Sequence, residues 1–240
     1  PVRQGRCKGK TRRLTDRPTQ TVITDTASHP LMIAGLRRSG TTALWQTLRA
    51  HPELTAFDEP FHPRLWQGVR DSTKGTWAEL TALWRTGPQE LAPNATAILP
   101  EDELERTMTP GQAAYISALL SQNGGRVALD VVRVFNKLHV LAAVEPRPYV
   151  VLLVRSPGPF ALSHLLPSGA GTLKKQMADL ARRRSALWRR SWYDNWQYET
   201  IIDKALAADH PLWTRGIAPT SMLRRASALT KLLAFWWAAN

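Results

Sequence analysis

Apolar residues fall into two kinds of stretch along this chain. Some form short runs: Leu31-Met32-Ile33-Ala34, closed by Gly35, then 127–132, which Asp130 interrupts, and then the unbroken β-branched and aliphatic run 149–154. Runs of that length beside glycine predict strands, and unbroken apolarity predicts parallel strands covered on both faces. Elsewhere the apolar positions recur at helical spacing. Leu44, Trp45 and Leu48 place one apolar side on a helix over 41–50, which His51-Pro52 ends. Trp77, Leu80, Leu83 and Trp84 repeat the pattern until Gly87-Pro88. Pro110 opens a helix over 110–120, Asn123-Gly124-Gly125 marks a turn, residues 172–208 read as mostly helical, and 221–240 reads as one final helix. Strands separated by helices predict an α/β domain, a parallel sheet flanked by helices.

Composition divides the chain. Residues 1–29 carry Arg3, Arg6, Lys8, Lys10, Arg12, Arg13 and Arg17 with almost no apolar periodicity, and read as a flexible basic arm ahead of a domain over 30–240. Lys plus Arg number 32 against 19 acidic residues, a net charge of +13 that favours polyanions such as phosphates, acidic glycans or nucleic acid. A basic nucleic-acid-binding module is one reading of this charge; the arm as a solvated tail is the preferred one, so nucleic acid is not an expected partner. Arg182-Arg183-Arg184 and Arg189-Arg190, beside Trp188 and Trp192, suit an acidic glycan or a solvated helix face equally. The single cysteine, Cys7, excludes an internal disulfide and a Cys-rich metal site. No apolar run reaches the ~20 residues that span a bilayer. The expected location is cytoplasmic, or lumenal and Golgi-type if an upstream anchor preceded Pro1. Asn94-Ala95-Thr96 matches a glycosylation sequon and is read as incidental.

The most specific chemistry lies between the first strand and the first helix. Gly35-Leu36-Arg37-Arg38-Ser39-Gly40-Thr41-Thr42 has both glycines and the final hydroxyl of a phosphate-binding G-x-x-x-x-G-K-S/T turn, but Thr41 stands at the lysine position. Glycines let backbone N–H groups turn inward around an anion, and the helix N-terminus adds its dipole. A kinase or NTPase would need Mg²⁺ held by an acidic residue after a later strand, a part Asp130 is placed to play. The absent lysine argues against it.

Arg38-Ser39-Gly40-Thr41-Thr42 resembles the 5′-phosphosulfate loop of sulfotransferases that use 3′-phosphoadenylyl sulfate (PAPS). Glu59-Pro60-Phe61 resembles the Glu-Pro segment of the carbohydrate-type and bacterial branch, and Val131-Val132-Arg133-Val134-Phe135 resembles that branch's strand ending in an arginine. Leu152-Leu153-Val154-Arg155-Ser156-Pro157, with Ser163 behind it, resembles the 3′-phosphate motif. These similarities cover roughly residues 30–165 in the family's order, and Trp236 to Asn240 matches a late W-x-x-x-N helix. Ser156 replaces the usual acidic residue, Gly158-Pro159 replaces an Arg–small pair, and the Tyr-Glu-Asp-Leu-like segment after the last helix is not seen, so the domain is read as either C-terminally truncated or rearranged at its end.

The resemblance implies a P-loop-like parallel sheet and sulfuryl transfer from PAPS, with PAP as product and no metal. It implies that Arg37, Arg38, Ser39, Gly40, Thr41 and Thr42 hold the 5′-phosphate, Arg38 also stabilising the leaving group, and that Arg155 and Ser163 hold the 3′-phosphate. It places Glu59 as the base that takes the acceptor proton. His62 is the competing base because imidazole titrates in the working range, and Glu59 would otherwise only hold Arg37 or Arg38 in place. Arg133 and Lys137 are candidates to face the acceptor, a small molecule or glycan hydroxyl.

Overall fold

The computed structural model describes residues 29–65, 75–87, 97–165, 173–175, 177–178, 180–181, 197–214 and 219–240. The basic arm, the sequon and the Arg182–Arg190 clusters lie outside the described residues. A four-stranded parallel sheet forms the centre, from β1 (Leu31–Gly35), β2 (Thr55–Asp58), β3 (Val127–Val131) and β4 (Tyr149–Leu153), in the order β2-β3-β1-β4. Around it stand α1 (Thr41–Arg49), α2 (Ala78–Thr86), α3 (Pro110–Leu120), α4 (Leu138–Leu141), α5 (Pro157–Leu165), α6 (Tyr198–Ala207), α7 (Thr220–Arg224) and α8 (Ala228–Ala239).

The period-two rule of a strand sorts the core. Met32, Ala34, Phe57, Leu129 and Val131 face one way, onto Leu80 of α2 and Tyr115, Ile116, Leu119 and Leu120 of α3. Their neighbours Ile33, Ala56 and Ala128 face the other way, onto Trp45 of α1. A third cluster joins α5, α6 and α8 through Phe160, Tyr198, Ile201 and Phe235 and reaches Leu36 after β1. Truncating a residue as large as Phe57 in such a core costs about 3–5 kcal/mol.

Strand register brings the carboxyl ends together. Ile33 and Asp58 both pair with Asp130, and Gly35 pairs with Leu153, so all four strands end along one edge of the sheet. At β1 the chain connections diverge, to β3 on one side and β4 on the other; such a divergence opens a crevice at the carboxyl ends of the strands.

Three elements differ from the sequence reading. β2 lies outside the apolar runs: its four residues, Thr-Ala-Phe-Asp, alternate and end in a carboxylate. β4 is not covered on both faces: Tyr149 is 64% and Leu152 47% exposed, and among the described residues β4 pairs with β1 alone. The C-terminal helix is two helices. Ser227 accepts a hydrogen bond from the Thr230 N–H at 3.2 Å and starts α8 afresh, the usual capping role of serine. By contrast α3 follows its sequence closely. Thr109 and Gln112 form a reciprocal capping box, with Pro110 at the first turn.

No helix among the described residues is long and apolar enough to cross a membrane.

Candidate active site

The crevice at the strand ends is a cavity of about 460 Å³. Its first wall is the turn between β1 and α1. Gly35 is required there by packing: a Cβ would stand 2.8 Å from the Leu153 carbonyl oxygen and 3.1 Å from Thr41 Cγ2. The turn then closes with Ser39 N–H donating to Leu36 O at 3.0 Å, Arg38 at φ 70° and Gly40 at φ 100°. Gly40 caps α1 without a side-chain acceptor, and α1 has no acidic residue in its first turn. Among the described residues, no backbone carbonyl accepts from the N–H groups of Gly40, Thr41 or Thr42. Such orphan donors at a positive dipole end suit an anion.

Arg155, just after β4, completes this wall. Its Nη1 donates to Arg38 O at 2.9 Å, while its own carbonyl accepts from Trp236 Nε1 at 2.8 Å. Asn240 Nδ2 in turn donates to Trp236 O, so α8 steadies the arginine from behind. Ser163 lies elsewhere: it sits within α5, its Oγ donates to Phe160 O at 2.7 Å, and it does not line the cavity.

The opposite wall follows β2 and β3. Glu59 stands at the end of β2 with φ 39°, its N–H donating to Asp130 O at 3.0 Å. The carboxylate is 24% exposed and faces the cavity. Its Oε2 lies 4.0 Å from Arg133 Nε and 3.9 Å from His62 Nε2. Burial raises the Glu59 pKa, while Arg133 and then Arg37 pull it down. His62 is pushed down to about 4 by burial, with Arg133, Arg37 and Arg64 adding to it. It is therefore neutral at pH 7. Its Nδ1 accepts from the Arg64 N–H at 3.0 Å, which leaves Nε2 toward Glu59.

Beneath this wall lies a charge cluster. Arg37 and Arg133 are 4% and 6% exposed, and both donate to Oε1 of Glu103, which has no exposed surface. The Arg133 bond is 3.1 Å, and Arg133 also donates to Gln197 Oε1 at 3.1 Å. The Arg37 guanidinium lies 5.1 Å over the Tyr198 ring. Burial lowers the pKa of both arginines, that of Arg37 to about 10, so each is still charged at neutral pH.

Behind the turn, Asp58 and Asp130 are paired across β2 and β3. Burial first, and then neighbouring carboxylates, push Asp58 up to about 7 and Asp130 up to about 8. The pair keeps a proton at neutral pH. Asp130, the metal ligand of the kinase reading, is wholly buried behind the turn, beside Asp58. No cluster of three or more His, Cys, Asp or Glu suited to a metal occurs among the described residues.

The cavity thus gathers Arg37, Arg38, Gly40, Thr41, Thr42, Glu59, His62, Arg133 and Arg155 from segments far apart in sequence. Lys137 is not among its lining residues. It is buried and donates to Asp102 O at 2.7 Å and to Glu105 O, tying down the 102–105 loop. Three polar contributors lay outside the sequence reading: Arg64, Gln197 and Glu103. The only signal for Glu103 was an acidic stretch, Glu101-Asp102-Glu103-Leu104-Glu105, whose alternate residues do not announce which one turns inward.

Comparison with known proteins adds one finding. No curated protein and no solved structure gave a match. A model of the sulfotransferase family matches residues 30–206, well over half of the chain and the whole of the parallel sheet with both walls of the cavity. The chain belongs to the sulfotransferase family.

Proposed function

We propose that the protein moves a sulfuryl group from PAPS to an acceptor hydroxyl, that of a carbohydrate or glycosylated small molecule, with Glu59 as the general base. The observation that carries this reading is the placing of a loosely paired carboxylate across one cavity from a phosphate-type turn. Glu59 Oε2 is 4.0 Å from its nearest cation, outside hydrogen-bond range, and so keeps a lone pair for a proton.

The first wall fits the donor. Orphan N–H groups of Gly40, Thr41 and Thr42 suit the 5′-phosphate, and the Arg155 guanidinium suits the 3′-phosphate in a paired contact. Arg38, at the exposed crest of the turn, supplies charge toward the leaving oxygen. When bound, PAPS supplies an activated sulfuryl group: its sulfur–oxygen bond to the 5′-phosphate breaks, the electron pair leaving on the phosphate, as the acceptor oxygen bonds to sulfur. Glu59 takes the acceptor proton as that bond forms, because a hydroxyl is too weakly acidic to lose it unaided. His62 is neutral, and with Nδ1 accepting from the Arg64 N–H its proton sits on Nε2, 3.9 Å from Glu59, where it can donate a hydrogen bond to the acceptor oxygen and orient it. Arg133 holds the Glu59 side of the cavity cationic. Positioning and fixed charge carry most of such a transfer.

The test is transfer of labelled sulfuryl from PAPS to a panel of sugar hydroxyls, phenols and peptides, without added metal. Label appearing on a sugar hydroxyl, and lost in Glu59→Gln, supports the reading. Transfer to phenols alone would overturn the carbohydrate acceptor, and undiminished transfer by Glu59→Gln would overturn the base.

A further inference from the structure

Glu103 touches no part of the cavity, yet it is the only group that engages two of the cavity's arginines at hydrogen-bond distance among the described residues. It approaches from the 97–109 segment, which is remote in sequence from both walls. Its Oε1 accepts from Arg37, which follows β1, and from Arg133, which follows β3. Glu59 competes for the same two cations and is the outer partner: 4.0 Å from Arg133 Nε, against 3.1 Å for the Glu103 bond.

We propose that Glu103 is a positioning residue that draws Arg37 and Arg133 off Glu59, and so leaves the Glu59 carboxylate free to take the acceptor proton. The role rests on Glu59 being the base. Charge count supports it. Arg37 and Arg133 carry two positive charges, and Glu59 and Glu103 two negative ones, so the set is neutral. Without Glu103, one uncompensated cation would face Glu59, and an opposite charge within 4–6 Å holds a carboxylate in its ionised, weakly basic form. The other titratable groups around Glu59 are fixed in kind. Asp58 and Asp130 share a retained proton behind it, His62 is neutral beside it, and Arg64 lies beyond His62. Tyr198 lies on the far side of Arg37. Gln197 accepts from Arg133 and Tyr198 lies under Arg37, but the carboxylate that ties the two arginines together is that of Glu103.

The experiment is the pH profile of kcat for the wild type, Glu103→Gln, Glu103→Asp, Arg133→Gln and Glu59→Gln, with calorimetric binding of adenosine 3′,5′-bisphosphate as the check that each variant keeps its donor wall. The acid limb of Glu103→Gln should move about one pH unit lower, with a reduced plateau. Glu103→Asp keeps the negative charge and should keep the wild-type limb. Arg133→Gln should move the limb the opposite way, to higher pH. Equal loss of kcat in both Glu103 variants with the limb unmoved would make Glu103 a purely structural tie and overturn the proposal. Should Glu103→Gln fail to fold, Arg133→Gln decides: a limb at or below the wild-type pH overturns it. A limb that persists in Glu59→Gln overturns the base assignment itself, an outcome distinct from a Glu103→Gln limb that does not move.

Discussion

On one wall of the cavity, Gly40, Thr41 and Thr42 present backbone donors that belong to a single turn, with Arg155 reaching across to the Arg38 carbonyl at 2.9 Å. On the other, Glu59 and His62 from one segment and Arg133 from another stand over the buried pair Arg37–Glu103, whose members come from two further parts of the chain. The first wall is made by local backbone geometry and holds positive potential for an anion. The second is made by long-range charge balance and holds a carboxylate whose basicity depends on its neighbours. On the proposed roles, binding and proton transfer are separable, and each wall can be damaged without the other.

Glu59→Gln should have the largest effect. It removes the proposed proton acceptor and should lower kcat by about 10²–10⁴-fold, the usual contribution of general base catalysis, while bisphosphate affinity stays within a few-fold of wild type. Steady-state kinetics beside calorimetry would show the split; a loss of affinity equal to the loss of kcat would merge the two walls.

Arg155→Ala addresses the first wall and should do the reverse. Loss of a charge-assisted contact of about 1.5–3 kcal/mol predicts a fall in bisphosphate affinity of roughly 10–150-fold, with kcat at saturating donor much less affected. A kcat defect at saturation would mean that Arg155 acts on the reacting atoms.

Gly35→Ala tests the turn as a packed object. Its Cβ would meet the Leu153 carbonyl oxygen at 2.8 Å, a backbone atom that cannot rotate away. Overpacking of this kind costs about 1–3 kcal/mol, and at about 2–4 °C per kcal/mol the melting temperature should fall by several degrees. An unchanged melting temperature would show that β1 and β4 can part at no cost.

Asp130→Asn should have the smallest effect at neutral pH and a distinct pH signature. Asp58 and Asp130 have folded pKa values raised from 3.8 to about 7 and about 8, so the folded state binds protons that the unfolded chain has released. Stability from the pair is full below about pH 4 and is lost as pH rises through 7 and 8. Melting temperatures of the wild type should therefore fall between pH 6 and pH 9, and Asp130→Asn should flatten that fall. A parallel decline in both proteins would show that the pair does not share a proton.

The same contrast explains which parts the sequence made legible. β1, α1, β3 and α3 could be read because each carries its own signal: a short apolar run beside glycine, a helical stripe around Trp45, or Pro110 at a first turn. The glycine turn between β1 and α1 was legible for the same reason. β2 was not, since four residues with alternating polarity carry too little pattern, and its place depends on pairing with β3. The exposure of β4 was hidden because the cover that other elements give a strand's faces is a long-range property. Glu103 and Gln197 were hidden for the same reason: nothing local marks one glutamate in an acidic stretch as the buried partner of two arginines. Lys137 looked like an acceptor-side cation because it follows β3 closely, but its tether is to the Asp102 and Glu105 carbonyls.

The most direct measurement of the central claim is calorimetric titration of the wild-type protein with adenosine 3′,5′-bisphosphate in the presence of chelator, beside ATP with Mg²⁺. The account predicts one site for the bisphosphate, filled without metal and weakened by Arg155→Ala. Failure to bind the bisphosphate, with ATP bound only when Mg²⁺ is present, would contradict it.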